Sequence, residues 1–149
     1  MTDAPLRLVV DASVGIKLFV EEDYSDKVHS LFEHLALDIP AILYVPDLFY
    51  IECTNILLKY TRRFGRSLED SRADLLDLGR LSLRVIPTAE LMVDALLLAA
   101  QQKITAYDAC YAVLASRLTI PLVTADKPLA KAVQALWIGD LELGTIAGK

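Results

Sequence analysis

At 149 residues the chain is long enough for one domain that buries most of the surface its unfolded form exposes, and 54% of its residues are hydrophobic. A net charge of -5 excludes a protein that grips nucleic acid by bulk positive charge, and two cysteines without partner spacing exclude a disulfide scaffold or a cysteine-based zinc module. No basic segment leads into a long apolar run and no run reaches the length of a membrane span, so the expectation is a soluble, cytoplasmic protein.

The first predicted element is a strand over 6–10, whose last residues, Leu8, Val9 and Val10, form an unbroken apolar run suited to burial on both faces. Asp11 and Ser13 interrupt that run, and 14–20 reads as a short helix capped by one of them. After the polar turn Glu21-Glu22-Asp23, Ser25 is expected to cap a helix to about Leu37, with Val28, Leu31, Phe32 and Leu35 at helical spacing. A strand over 42–45 closes at Pro46-Asp47, and a helix over about 48–64 carries Glu52 and Asn55 before Gly65 stops it. Ser67 caps a helix to about Leu81, and a third strand, 83–86, ends at Pro87. An apolar helix from 89 to about 102 is either core or a candidate dimer surface. Thr105 opens a helix to about Leu118, and 122–124 is a fourth strand. Asp126 starts a helix to about Ala135, and 136–138 reads as a fifth strand before a Gly-rich tail over 139–149.

Strands alternate with helices and no hairpin signal joins consecutive strands. The pattern predicts a single α/β domain over 1–149, its core about 6–138, with a mostly parallel central sheet of four to five strands flanked by helices.

In open parallel sheets ligands bind beyond the carboxyl ends of the strands. Asp11 and Asp126 follow strands directly, Asp108 lies in the first turn of a helix, and Glu52 lies just over a turn into another. Singly, each has a plain structural role: Asp11 and Asp126 as helix caps, Thr105 to Asp108 as a capping box, Glu52 as a helical surface charge. Jointly they do not, because two carboxylates about 5 Å apart repel by roughly 3 kcal/mol at an effective dielectric near 20. Such a cluster must protonate, disperse or bind a cation. Oxygen donors without His or Cys favour Mg²⁺ or Mn²⁺. A metal held this way generates hydroxide and stabilises charge on a phosphoryl oxygen, so the chemistry indicated is phosphodiester hydrolysis.

Ser13 and Thr124, each two positions from an acid, are placed to donate hydroxyl hydrogen bonds there, and Asn55 shares a helix face with Glu52. Tyr111 shares a face with Asp108 but reads as a core residue. Cys53 and Cys110 read as buried thiols, and His29 and His34 miss the spacing of a helical metal pair. Lys59, Arg62, Arg63, Arg66, Arg72, Arg80 and Arg84 form a basic run that is either a solvated face or a surface that steers a phosphate backbone.

The stretches Val10-Asp11-Ala12-Ser13, Glu52-Cys53-Thr54-Asn55, Tyr107-Asp108-Ala109-Cys110-Tyr111 and Val123-Thr124-Ala125-Asp126, in this order, resemble the PIN-domain ribonucleases, and especially the VapC-type toxins of toxin–antitoxin pairs. The resemblance covers about 6–138 and implies a single PIN-like domain with a Mg²⁺- or Mn²⁺-dependent endoribonuclease site. It makes Asp11, Glu52, Asp108 and Asp126 the acidic catalytic and metal residues, with Asp11 and Asp108 the most secure direct ligands and Glu52 and Asp126 open to acting through water. Ser13, Asn55 and Thr124 become its polar support. It further implies an RNA substrate, with Lys59, Arg62, Arg63 and Arg66 as candidate contacts, a homodimer, and a small antitoxin protein as partner, its tail covering the active site. Lys127-Pro128-Leu129 stands where some relatives carry a further acid, which leaves a second metal open.

The contrasting expectation is a catalytically silent PIN-like module that binds RNA or protein. Four mutually repelling carboxylates weigh against it. An aspartyl-phosphate phosphatase would need an Asp where Ser13 stands, and a phosphorelay receiver would need its acids in another order.

Overall fold

The apolar run after Arg7 forms β1 (Arg7–Val10), the central strand of a five-stranded sheet in the computed structural model, which describes residues 4–142. The other strands are β2 (Ile42–Pro46), β3 (Arg84–Ile86), β4 (Leu122–Thr124) and β5 (Leu136–Trp137), in the order β3-β2-β1-β4-β5. Every pairing is parallel. Leu8, Val9, Val10, Leu43, Val45 and Val123 are wholly buried, as strands covered on both faces require. The order reverses between β1 and β4, the switch point beside which parallel sheets hold their ligands.

Among the described residues seven α-helices make the crossovers: α1 (Ala12–Gly15), α2 (Ser25–Glu33), α3 (Leu48–Phe64), α4 (Leu68–Arg80), α5 (Met92–Gln102), α6 (Ala106–Leu118) and α7 (Lys127–Val133). Gly65, at φ 70, ends α3 in the left-handed conformation that glycine adopts most readily. Gly15 has a different task. A Cβ there would lie 2.6 Å from Phe49 Cζ, so the missing side chain lets α1 seat directly on α3. Tyr111, Phe49, Leu57 and Leu114 fill the space between helices and sheet, and each such side chain contributes roughly 1.5–3 kcal/mol by leaving water.

Several boundaries differ from the sequence reading. The first helix begins at Ala12, because Asp11 itself caps it, and tightens into a 3₁₀ turn over Ile16–Leu18 instead of running to residue 20. Ser25 does not cap α2. Tyr24 holds that position at φ 69, and the Ser25 hydroxyl turns inward, donating to the Val20 carbonyl (3.2 Å) and accepting from the Glu22 amide (3.0 Å). The helix stops at Glu33, followed by a 3₁₀ turn over His34–Ala36. Pro46 lies inside β2, and the chain recovers its pairing one residue later, where Asp47 N donates to Ile86 O.

The apolar helix near residue 90 starts at Met92 and is not core. Met92, Val93, Leu96 and Leu97 are 60%, 65%, 65% and 62% exposed, and within α5 only Ala95 is buried. Ile138 and Leu141, by contrast, pack into the core beyond β5, while 143–149 of the expected tail lies outside the described residues. Among the described residues no helix is long and apolar enough to cross a membrane.

Candidate active site

Parallel pairing sets the carboxyl ends of β1 and β4 side by side, and this is what assembles the site. Asp11, directly after β1, is only 4% exposed. Its Oδ1 accepts from Ser13 Oγ (2.6 Å) and from the Val14 amide (3.1 Å), and its Oδ2 accepts from Thr124 Oγ1 at the end of β4 (2.5 Å). Each hydroxyl is itself fixed by a backbone donor. Ala125 N donates to Ser13 Oγ (2.9 Å), and Asp126 N donates to Thr124 Oγ1 (3.1 Å). Asp11 is therefore both a helix cap and a carboxylate cross-tied between two strands.

The other three acids come from helices. Glu52, half-buried in the second turn of α3, accepts from the Tyr111 hydroxyl of α6 at 2.5 Å. Asp108, also half-buried, sits in the first turn of α6, where its amide donates to Thr105 Oγ1 (3.1 Å). Asp126 is exposed and caps α7, its Oδ1 accepting from Leu129 N (3.0 Å).

Burial pushes Asp11 up to about 6 against the downward pull of its three hydrogen bonds, and the charge of Asp108 adds to the rise. Burial likewise raises Glu52, the Tyr111 bond draws it back, and Asp108 raises it again. Asp108 is raised by burial and then by the charge of Asp126, with Thr105 opposing. Asp108 thus couples all four acids, acting on two and feeling the third.

The four are neighbours, not a closed cage. Among the described residues no three His, Cys, Asp or Glu side chains are drawn together tightly enough to grip one ion. The Tyr111 bond and the α7 cap hold Glu52 and Asp126 in place. The donor set nevertheless suits a hard divalent cation. It is all oxygen, and Glu52 Oε2 and Asp126 Oδ2 take no hydrogen bond from the described residues. Burial and mutual repulsion, which raise three of the carboxyls, are what a cation relieves, and Mg²⁺ commonly binds through one or two carboxylates and retained water.

The remaining sequence candidates fall into place unevenly. Asn55 is exposed and borders, with Ile51 and Tyr107, a cleft of about 500 Å³ onto which Glu52 opens. Lys59, Arg62 and Arg63 are exposed near the far end of α3, with Arg62 about 15 Å along the helix axis from Glu52. Arg66 is half-buried and ion-paired with Asp74 of α4, which ties α3 to α4. Cys53 and Cys110 are buried free thiols, Cys53 pushed up to about 12 chiefly by burial. His34, its Nδ1 on the Ser30 carbonyl, lies beside Leu6 at the amino end of the sheet, opposite the acids, and His29 is exposed on α2.

Tyr111 is a core residue as expected, 1% exposed, but its hydroxyl also orients Glu52. The signal for that second role was its spacing of three from Asp108, which turns it toward the acids.

The pattern of the PIN domain matches residues 8–134 of this parallel α/β chain, whose acids gather at the switch point of the sheet, and the chain belongs to this family. It is 35% identical over 134 residues to Ribonuclease VapC3 of Pyrobaculum aerophilum, covering 88% of this chain and 98% of that protein. Among solved structures, PAE2754 from Pyrobaculum aerophilum is 25% identical, with a TM-score of 0.71 over 100% of this chain and 95% of its own. The fold is shared at 16% identity with Mycobacterium tuberculosis VapC20, a Sarcin-Ricin loop cleaving toxin (TM-score 0.62; 84% and 94% covered). It is shared at 14% with VapBC2 from Rickettsia felis (TM-score 0.58; 88% and 96% covered). The resemblance read from the sequence, to PIN-domain ribonucleases of the VapC type, therefore holds along most of the chain.

Proposed function

We propose that the protein is a Mg²⁺- or Mn²⁺-dependent endoribonuclease, acting in the cytoplasm as the toxin of a toxin–antitoxin pair. The observation that carries this reading is Asp11: a buried carboxylate, raised to about 6, held by Ser13 and Thr124 within reach of the charge on Asp108. A structural cap has no need of such surroundings. The near full-length relationship to Ribonuclease VapC3 supports the same reading.

A divalent ion bound here would supply an activated water and charge stabilisation at a phosphoryl oxygen. The chain's own residues do the rest. Ser13 and Thr124 fix the Asp11 carboxylate, Tyr111 fixes Glu52 Oε1 and leaves Oε2 free, and Asp108 completes the direct set. Asp126, exposed, acts through water, and Asn55 lines the approach to Glu52. Lys59, Arg62 and Arg63 steer the RNA backbone from the end of α3.

Two partners complete the proposal. The exposed apolar face of α5 pairs with its copy in a homodimer, and the apolar cleft between α3 and α4, about 470 Å³ and lined by Leu57, Leu58, Leu68 and Leu75, seats an apolar segment of the antitoxin. One other reading is a silent module that binds RNA or protein without cutting, which the exposed basic residues Lys59, Arg62 and Arg63 would serve equally well. Incubating a mixed RNA pool with Mn²⁺, Mg²⁺ or chelator, beside an Asp11→Asn, Asp108→Asn double variant, separates the two. Metal-dependent cutting absent from the variant is the expected result. Binding with no cutting under any condition would establish the silent module.

A further inference from the structure

We propose that Trp137 is a stacking platform for one base of a single-stranded RNA, with Lys127 and Lys131 holding the adjoining phosphates. This rests on the ribonuclease reading for its substrate but on separate residues for its geometry. Trp137, the only tryptophan in the chain, ends the edge strand β5 in register with Thr124, the residue that donates to Asp11. Adjacent strands lie about 4.8 Å apart, so the indole begins one strand away from the acid site.

The surroundings of the ring are built, not incidental. A Cβ at Gly139 would stand 2.4 Å from Cη2, 2.4 Å from Cζ3 and 2.7 Å from Cε3 of the indole. Near-equal approach to three consecutive ring atoms places Gly139 over one face, where only glycine fits. Tyr24 meets the ring edge-on (centroids 5.4 Å apart, 79° between planes) from a backbone φ of 69, which tyrosine seldom adopts. Lys27 ties the two together, donating to Gly139 O at 2.7 Å while its ammonium lies 5.8 Å from the Tyr24 ring centroid.

Lys127 Nζ sits over the ring, 4.5 Å from the indole centroid. Lys127 directly follows Asp126, and with Pro128, Lys131, Leu136, Trp137 and Asp140 it lines a cleft of about 640 Å³, the size of a nucleoside site. Trp137 packs against the core on one side, yet it is only half-buried and faces an exposed lysine. Aromatic rings beside lysines are the means by which proteins hold unpaired nucleotides, the base on the ring and the phosphate on the ammonium. Lys127 covers the indole when no base is present, and moves from ring to phosphate when one arrives. Two lysines against the single carboxylate of Asp140 keep the cleft favourable to an anion.

Because the chain has one tryptophan, its emission reports this site alone. Octa-adenylate is titrated in Mg²⁺ against the full-length Asp108→Asn variant, which keeps the strand intact. Saturable quenching by at least a third is expected for the single strand, little for the same strand paired with octa-uridylate, and a fivefold or greater loss of affinity for Lys127→Ala. Unchanged emission up to millimolar octa-adenylate overturns the proposal. In the cutting assay Trp137→Leu should lower kcat/KM at least tenfold, mainly through KM, and Trp137→Phe should recover part of it. Equal kcat/KM for native protein and Trp137→Leu also overturns it. Quenching by octa-adenylate in a native protein that cuts no RNA would sustain the stacking site and sink the nuclease, whereas cutting without quenching would do the reverse.

Discussion

Tyr111 on α6 donates its hydroxyl to Glu52 Oε1 on α3 at 2.5 Å, so two helices meet through a half-buried carboxylate. The bond pulls the Glu52 carboxyl down while burial and Asp108 push it up. Tyr111→Phe keeps the ring's packing and removes only the downward pull. Glu52 must be ionised to serve a cation, so its rise moves the acid limb of the kcat/KM–pH profile to higher pH. Stability should fall by about 1–2 kcal/mol. A limb in the same place as the native protein's would contradict this role for Tyr111.

Asp11 links the site to stability. An unfolded Asp carboxyl titrates near 4, whereas in the fold it titrates at about 6. Between those values the unfolded chain gives up its proton first. Stability is therefore greatest below about pH 4 with respect to this group and is lost as pH rises to about 6. The full loss is on the order of 3 kcal/mol, and it persists above that pH. In chelator, Asp11→Asn should abolish this slope and be the more stable protein at pH 7.5. Urea denaturation at pH 4.5 and 7.5 measures both, and Mg²⁺ should restore stability to the native protein but not to the variant.

Gly15→Ala drives a methyl toward Phe49 Cζ and Cε1, at 2.6 and 2.8 Å. Overpacking of this kind costs about 1–3 kcal/mol. Since α1 follows Asp11 and α3 carries Glu52, the variant should lose metal affinity as well as melting temperature. Calorimetric titration with Mn²⁺ reads the first and thermal denaturation the second.

Along α5, Met92 stands one turn before Leu96 and Val93 one turn before Leu97, all four exposed. Leu96→Glu should yield a monomer in sedimentation equilibrium where the native protein is a dimer. A monomeric native protein would remove α5 from the proposal.

Arg62→Glu with Arg63→Glu should slow RNA cleavage several-fold at low salt, the difference shrinking as ionic strength rises. Turnover equal to the native protein at moderate salt would leave these side chains as a solvated face.

Where strands and helices run was legible because the apolar runs are short and punctuated. Gly65 and Ser67 end one helix and open the next as residue chemistry dictates. Ser25 misled because a serine before an apolar pattern looks like a cap, while here its hydroxyl serves the turn behind it. The apolar face of α5 was legible as apolar, not as exposed: periodicity reports that a face avoids water, not what covers it. At the site, local spacing placed Ser13 and Thr124 near acids. That both close on Asp11 depends on β1 and β4 being neighbours, which only the sheet order supplies. Trp137 carried no motif at all; its setting arises from Gly139, Tyr24 and Lys127 meeting in space.

The bond between Asp11 and Thr124 spans 113 positions of chain. A ribosome releases β1 well before β4, the strand that must lie beside it. Contacts so distant in sequence form late, after the intervening crossovers have closed their loops. The acid centre consequently has no existence in a nascent or truncated chain that stops before β4. During synthesis the cross-tied Asp11 carboxylate forms in one step, when β4 docks beside β1.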